Sequence, residues 1–302
     1  MNEKTKQDYL KLAQYFLQHR LIDNQIPLTP KNIRQALTAC AKEYRPAYWL
    51  RLRCALVTQQ RETGFSKQAE LIKAVRNPIT LADASEQTKA LKKPKQKRIK
   101  TVTKDQHQLI YRTVKQNNDK ALLAMIEIAR ILGCRPIEML SLQLGRNNEV
   151  FIDGAKKTEN GLRGLNRTVI LTDHQYDIIE RCHSVLHEEL HTRRLNKSQF
   201  IKRLQRRLDT VTKKIWLRRK HRITLYSYRH LMGSDLKASG KSRVEIATIM
   251  GHQSVDSIDV YGNKSTSTRR PTLRGSQDSM ERVRKTVLKS SDHLKTNQVE
   301  NT

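Results

Sequence analysis

Apolar residues along this chain recur at helical spacing far more often than in strict alternation. Tyr9, Leu12, Ala13, Phe16 and Leu17 share one helical face, and Ile33, Ala36, Leu37 and Cys40 share another. Thr29-Pro30 stands before the second stripe as a cap followed by a first-turn proline. Tyr48, Leu52, Ala55 and Leu56 form a third stripe that ends near Gly64, and Ala69, Ile72 and Val75 form a fourth before Asn77-Pro78. Residues 1–91 are therefore expected to make a compact helical domain.

The pattern breaks at residues 92–100, where Lys92, Lys93, Lys95, Lys97, Arg98 and Lys100 surround Pro94. Such a segment predicts an extended, self-repelling linker. A second domain is expected over 101–270. Helical patterns cover 103–117 and 119–132, with the most apolar run of the chain at 121–126 and Gly133 as a stop. A short helix through Ile137, Leu140 and Leu142 follows. Residues 149–152 and 167–171 read as strands, separated by a glycine-containing stretch. Helices return over 173–194 and 198–219, with three shorter ones between 227 and 260. Residues 271–302 read as a polar tail with a weak stripe of Met280, Val283 and Val287. The fold class is mainly α with a small antiparallel β-sheet.

Charge narrows the function. Lys and Arg number 59 against 29 Asp and Glu, a net +30 at pH 7. An excess of this size points to a polyanionic partner, nucleic acid first. No apolar run approaches the ~18 residues of a membrane span, and the polar first ten residues do not resemble a secretory signal. Cys40, Cys54, Cys134 and Cys182 stand far apart with no C-x-x-C pair, which argues against a zinc ribbon or disulfide framework and suits a reducing cytosol.

Two segments invite other readings. His187-Glu188-Glu189-Leu190-His191 matches H-E-x-x-H, with His183 extending the same face. Glu189 puts a charge inside that motif, Arg193-Arg194 follow at once and no third ligand follows. The favoured reading is a helix whose Ile179, Cys182, Leu186 and Leu190 face the core. In the basic stretch 198–220, Lys202, Arg203, Arg206, Arg207, Lys213, Lys214, Arg218, Arg219 and Lys220 interleave with Leu204, Leu208, Val211 and Trp216. That segment is either a solvated face over a core stripe or a further DNA-backbone or subunit contact.

Four patches carry the chemistry: Gly133-Cys134-Arg135-Pro136-Ile137-Glu138, Lys156-Lys157-Thr158, Tyr226-Ser227-Tyr228-Arg229-His230, and Gly251-His252 with Tyr261 nine residues on. Their order, with strands between the first and third, resembles the tyrosine recombinase (phage integrase) family over about residues 1–270. The first patch is similar to the family's Thr-Gly-x-Arg-x-x-Glu segment, with Leu132 in place of threonine. The third is similar to His-x-x-Arg-His, and the fourth to Gly-His followed by the nucleophilic tyrosine. By position, the resemblance makes Arg135 and Arg229 the arginine pair and Lys157 the β-hairpin lysine, with Lys156 as the alternative. It makes His252 the later His/Trp group and Tyr261 the nucleophile. Tyr226 departs from the pattern, standing where histidine is usual. A phenol can donate a hydrogen bond to a phosphate oxygen, but with an ordinary pKa of ~10 it is a poor base near neutrality.

These residue types suit phosphodiester chemistry. Two guanidiniums can clamp the non-bridging oxygens of a five-coordinate phosphorus. A tyrosine hydroxyl gives a covalent phosphotyrosine, and a lysine can protonate the departing 5′ oxygen. The cations stand in for the metal pair of many nucleases, so neither metal nor cofactor is expected. Glu138, three residues after Arg135, is expected to fix that arginine. The resemblance implies a core-binding-like (SAM-like) DNA-binding domain, the basic linker, and a catalytic domain acting through a 3′-phosphotyrosine. It further implies double-stranded DNA with inverted half-sites as the partner, a homotetramer on that DNA, room for accessory DNA-bending proteins, and a cytoplasmic, nucleoid-associated site of action. The role expected is recombination for a mobile genetic element. Its rivals are resolution of chromosome or plasmid dimers, a catalytically inactive DNA-binding member, and a relaxing topoisomerase.

Overall fold

The computed structural model describes residues 1, 3–94, 97–155 and 164–284. The chain divides into two compact units, Met1–Gln96 and Lys97–Thr302. The first holds α1 (Glu3–Arg20), α2 (Pro30–Ala39), α3 (Pro46–Glu62), α4 (Ser66–Lys73) and the short α5 (Glu86–Ala90). Thr29 caps α2 by accepting from Asn32 N, and Pro30 occupies the first turn. The expected stripes meet in one core that includes Phe16, Leu37, Leu52, Leu56 and Ile72. In α3 the buried aromatic is Trp49 and not Tyr48, which is 40% exposed. Both fit the helical period. The indole buries more apolar area, and its N–H reaches the Leu37 carbonyl at 2.7 Å.

The second unit contains α6 (Lys104–Gln116), α7 (Lys120–Leu132), β1 (Leu142–Leu144), β2 (Glu149–Ile152), β3 (Arg167–Ile170), α8 (Asp173–Thr192), α9 (Lys197–Ile215), α10 (Leu225–Ala238), α11 (Arg243–Met250), β4 (Arg274–Gly275) and α12 (Gln277–Glu281). Thr103 and Gln106 form a reciprocal capping box on α6. Asp119 caps α7, and Gly133 ends it in the left-handed conformation at φ 57°. α7 is buried on almost every side and packs against α8 and α10, so it is the axis of this unit's core.

The four strands form an antiparallel sheet in the order β1-β2-β3-β4, with Val150 opposite Val169 and Ile152 opposite Arg167. β2 and β3 are the two strands expected from sequence. β1 replaces the last part of the helix expected through Leu142: a 3-10 turn ends at Leu140, and Leu142 pairs with Ile152. β4 falls in the segment read as a tail. Gly275 pairs with Val169, Leu273 is 1% exposed, and Ser279 Oγ accepts from Thr168 N at 2.9 Å. The described residues after 270 are thus packed into the second unit. A strand of two or three residues is too short to show alternation, so neither β1 nor β4 has a pattern to read. The end of the basic segment is also tied down, since Ser227 Oγ donates to the Ile99 carbonyl at 2.8 Å. Among the described residues, no helix is long and apolar enough to cross a membrane.

Ile126 lies fully buried in α7. Ile126→Ala is expected to destabilise the second unit by about 2–5 kcal/mol. Chemical denaturation should show that unit's transition moving while the transition of the first unit stays in place.

Candidate active site

Four of the six residues singled out from sequence converge. Arg135 stands at the head of the 3-10 turn Pro136–Leu140, and Arg229 lies in the second turn of α10. His252 follows α11, and Tyr261 follows a 3-10 turn, Val255–Val260. Arg229 is fully buried and links the set. Its Nη1 donates to the Gly133 carbonyl at 2.8 Å, and its Nη2 donates to the Met250 carbonyl and approaches His252 Nε2 at 3.2 Å. Its guanidinium carbon sits 4.9 Å from the centre of the Tyr261 ring. The His252 ring packs on the same tyrosine with centroids 5.0 Å apart. Tyr226 lies in the first turn of α10, 40% exposed, and among the described residues it makes no hydrogen bond or ring contact with the others. Lys157 and its neighbour Lys156 lie outside the described residues.

Glu138 organises the buried charges. Arg135 Nη1 pairs with Glu138 Oε1 at 2.6 Å, and Arg135 N donates to Oε2 at 2.8 Å. The expected i, i+3 contact is present, but across a 3-10 turn with Arg135 extended at its start. The same carboxylate accepts from Ala155 N at 3.1 Å and from Arg167 Nη2 at 3.0 Å. Arg167 was not singled out from sequence. It is 1% exposed, and its Nε donates to the Ile249 carbonyl at 3.0 Å. A signal existed, since Arg167 shares its strand face with the buried Val169 and an arginine in that phase must find partners inside. Its guanidinium also explains Gly251, which has φ 64°, and whose Cβ, if present, would lie 2.4 Å from Arg167 Nη1. Arg167 therefore joins the first patch to the fourth.

The charge pattern sets the protonation states. Burial opposes ionisation of Glu138, but Arg167, Arg135 and the Arg135 amide outweigh it and hold its pKa at about 2. Burial, Arg135 and Arg167 lower Arg229 to about 10, leaving it charged at neutral pH. Burial and the positive charges of Arg229, Arg135 and Arg167 push His252 down to about 3, so its imidazole is neutral.

The segment carrying Tyr261 is tied to α10. Asn263 N donates to Ser234 Oγ at 2.9 Å, Lys237 Nζ to the Gly262 carbonyl at 3.1 Å, and Thr268 N to the buried Asp235 at 2.7 Å. The tyrosine thus meets the Arg229 of its own chain.

The other two sequence features find different settings. His183 and His187 stack on α8 with centroids 4.2 Å apart, and burial, first of all, lowers the pKa of each. Among the described residues no group of three or more His, Cys, Asp or Glu is placed to hold a metal ion. Along α9, Lys202, Arg203, Arg206, Lys213 and Lys214 are exposed. Arg207 is instead committed to Asp119 at 2.7 Å and Glu189 at 2.8 Å, and beyond the helix Arg219 stacks over Trp216 at 5.1 Å.

The sequence pattern of the phage integrase family matches residues 100–268, more than half of the chain, and the protein belongs to that family of tyrosine recombinases. Among solved structures, the chain is similar to a lambda integrase dimer bound to a COC' core site, with TM-score 0.55 and 17% identity over 86% of this chain and 72% of that one. It is also similar to a lambda integrase tetramer bound to a Holliday junction, with TM-score 0.55 and 16% identity over 85% of this chain and 72% of that one. At such identities the likeness is one of fold. No curated protein sequence matches the chain.

Glu138→Gln leaves two buried arginines short of a counter-charge and is expected to cost about 3–5 kcal/mol, read as a lowered denaturation midpoint. Acid should act in two stages. His252 falls from 6.5 to about 3 on folding, so its unfolded form takes up a proton first and stability declines as pH drops below 6.5. The Glu138 contribution, complete above its unfolded value of 4.5, is lost as pH falls toward 2. His107, His183, His187 and His230 are depressed in the same direction, so His252→Asn should make the fall below pH 6.5 shallower without abolishing it, and Glu138→Gln should do the same for the fall below 4.5.

Arg207→Ala should lower stability by about 1–3 kcal/mol, because it removes the two charge-assisted bonds to Asp119 and leaves that carboxylate, among the described residues, only its cap contact with Leu122 N. Arg206→Ala, at an exposed position, should leave the unfolding midpoint in place.

Proposed function

We propose that this protein is a site-specific DNA recombinase that cuts and rejoins DNA through a 3′-phosphotyrosine on Tyr261. The observation that carries the reading is the meeting of Arg229, His252 and Tyr261 around one buried guanidinium, with Arg135 held beside them by Glu138. Arg135 and Arg229 bind the non-bridging oxygens of the scissile phosphate, and His252 donates a hydrogen bond to one of them. The Tyr261 oxygen attacks phosphorus as it loses its proton, and the bond to the 5′ oxygen breaks. That oxygen takes a proton from Lys157, with Lys156 the alternative donor. Rejoining runs the same steps backwards and conserves the energy of the broken bond. Tyr226 serves as a hydrogen-bond donor to DNA.

The partner is double-stranded DNA with inverted half-sites. The net charge of +30 supplies the attraction to its backbone. The protein works as a homotetramer on two duplexes, a reading supported by the tetramer that lambda integrase forms on a Holliday junction. The helical first unit and the basic segment add contacts to the duplex, and the role is movement of a mobile element. The departure at Tyr226 favours a second reading, a DNA-binding member without catalysis.

A nicked duplex carrying a site selected from a random pool separates the two. The wild-type protein is expected to leave a covalent protein–DNA adduct on denaturing gels. Tyr261→Phe should lose the adduct and keep its DNA affinity within about threefold, since the hydroxyl is not a major binding group. A wild-type protein that binds tightly and leaves no adduct would establish the non-catalytic reading.

A further inference from the structure

Resting on that reading, we infer that His230 is the group that takes the proton from the Tyr261 hydroxyl during attack. Its ring packs against that of Tyr261, with centroids 5.0 Å apart and planes tilted by 32°. It follows Arg229 on α10, the helix to which the tyrosine segment is tied.

The other groups at the site cannot do this task. Arginine stays charged and has no lone pair to offer. A guanidinium can only donate, so the contact between Arg229 Nη2 and His252 Nε2 makes that nitrogen the acceptor and places the His252 proton on Nδ1. That Nδ1 is buried and has no partner among the described residues, so His252 has a proton to donate and no acceptor nitrogen to spare. The residue at position 226, where a base would be sought, is a phenol. Both histidines have a buried Nδ1 without a partner, but His230 differs at its second nitrogen: His252 Nε2 is taken by Arg229, whereas neither ring nitrogen of His230 makes a hydrogen bond among the described residues. One ring nitrogen of the neutral imidazole is thus free to accept.

The surroundings keep that ring neutral. The charged groups acting on it are Lys100 and Arg98 from the segment before α6 and Arg229 from its own helix, and with burial they lower its affinity for a solvent proton. The proton it gains during attack is balanced by the second negative charge that develops on the phosphate. As the Tyr261 O–H bond breaks, the proton passes to His230 and the oxygen's electron pair forms the bond to phosphorus. The P–O5′ bond breaks and the leaving oxygen is protonated by the lysine. On rejoining, His230 returns its proton to the departing phenolate.

The test is the rate of adduct formation across pH on the nicked duplex, with ordinary DNA and with DNA whose 5′-bridging oxygen is replaced by sulfur. A sulfur leaving group needs no acid, so it rescues a lost proton donor and does not rescue a lost acceptor. His230→Gln is expected to keep DNA affinity and slow the adduct about 10²–10⁴-fold near neutral pH. It should regain about tenfold per pH unit as hydroxide takes over, with no rescue by sulfur. His230→Ala should be accelerated by added imidazole, whereas Tyr226→Phe should keep the shape of the wild-type pH profile. A His230→Gln protein that follows the wild-type profile, or that sulfur rescues, overturns the assignment. A folded His230→Ala protein that imidazole does not accelerate counts against it as well. An adduct missing from the wild type itself would overturn the recombinase reading on which this rests, and that failure is visible before any His230 variant is made.

Discussion

The buried carboxylate of Glu138 is the constraint on which this site depends. Three guanidiniums, those of Arg135, Arg167 and Arg229, are buried within electrostatic reach of one another. Their mutual repulsion would open the second unit if nothing opposed it. Glu138 bonds two of them directly and acts through space on the third. Among the described residues that bond or act on this group, one carboxylate against three guanidiniums leaves two positive charges uncompensated. In the reaction proposed above, a phosphodiester would bring one negative charge and its five-coordinate transition state would develop a second, so the residual charge would match the transition state better than the ground state.

The helices and their caps were legible because their signals are local. Thr29-Pro30, Thr103 with Gln106, and Asp119 each sit within a turn of the helix they start. The site was legible by a different route. Arg135, Arg229 and the His252–Tyr261 pair lie in separate stretches of the sequence, and no periodicity joins them, so their order and flanking residues had to stand in for distance. Arg167 escaped that route because it lies in none of the four patches, although its inward phase on β3 marked it as an arginine in need of partners. The linking of β4 to β3 escaped every route, since two residues carry no alternation and the pairing joins segments about a hundred residues apart.

The charge excess was informative about partner and misleading about surface. It counts every cation alike, whether free or committed. In the long basic stretch, Arg207 ties α9 to Asp119 and Glu189, and Arg222 ties the following segment to Asp209. These arginines serve packing first, leaving Lys202, Arg203, Arg206, Lys213 and Lys214, with Lys197 at its start, as the exposed cations of that helix. A sequence cannot make this distinction, because commitment depends on which carboxylates the fold brings near.

Tyr261 is held in a manner suited to a nucleophile. Its backbone neighbours are fastened to α10 through Ser234 and Lys237. Gly233 allows the close approach, since a Cβ there would lie 3.1 Å from Tyr261 Cβ. The ring is gripped on its surfaces by Arg229, His230 and His252. None of these contacts employs the hydroxyl as donor or acceptor. A tyrosine whose oxygen accepted a hydrogen bond would have to free that lone pair before attacking, and the lost bond would add to the barrier. Fixing the ring by its faces and the main chain by its hydrogen bonds leaves the oxygen positioned and, among the described residues, uncommitted.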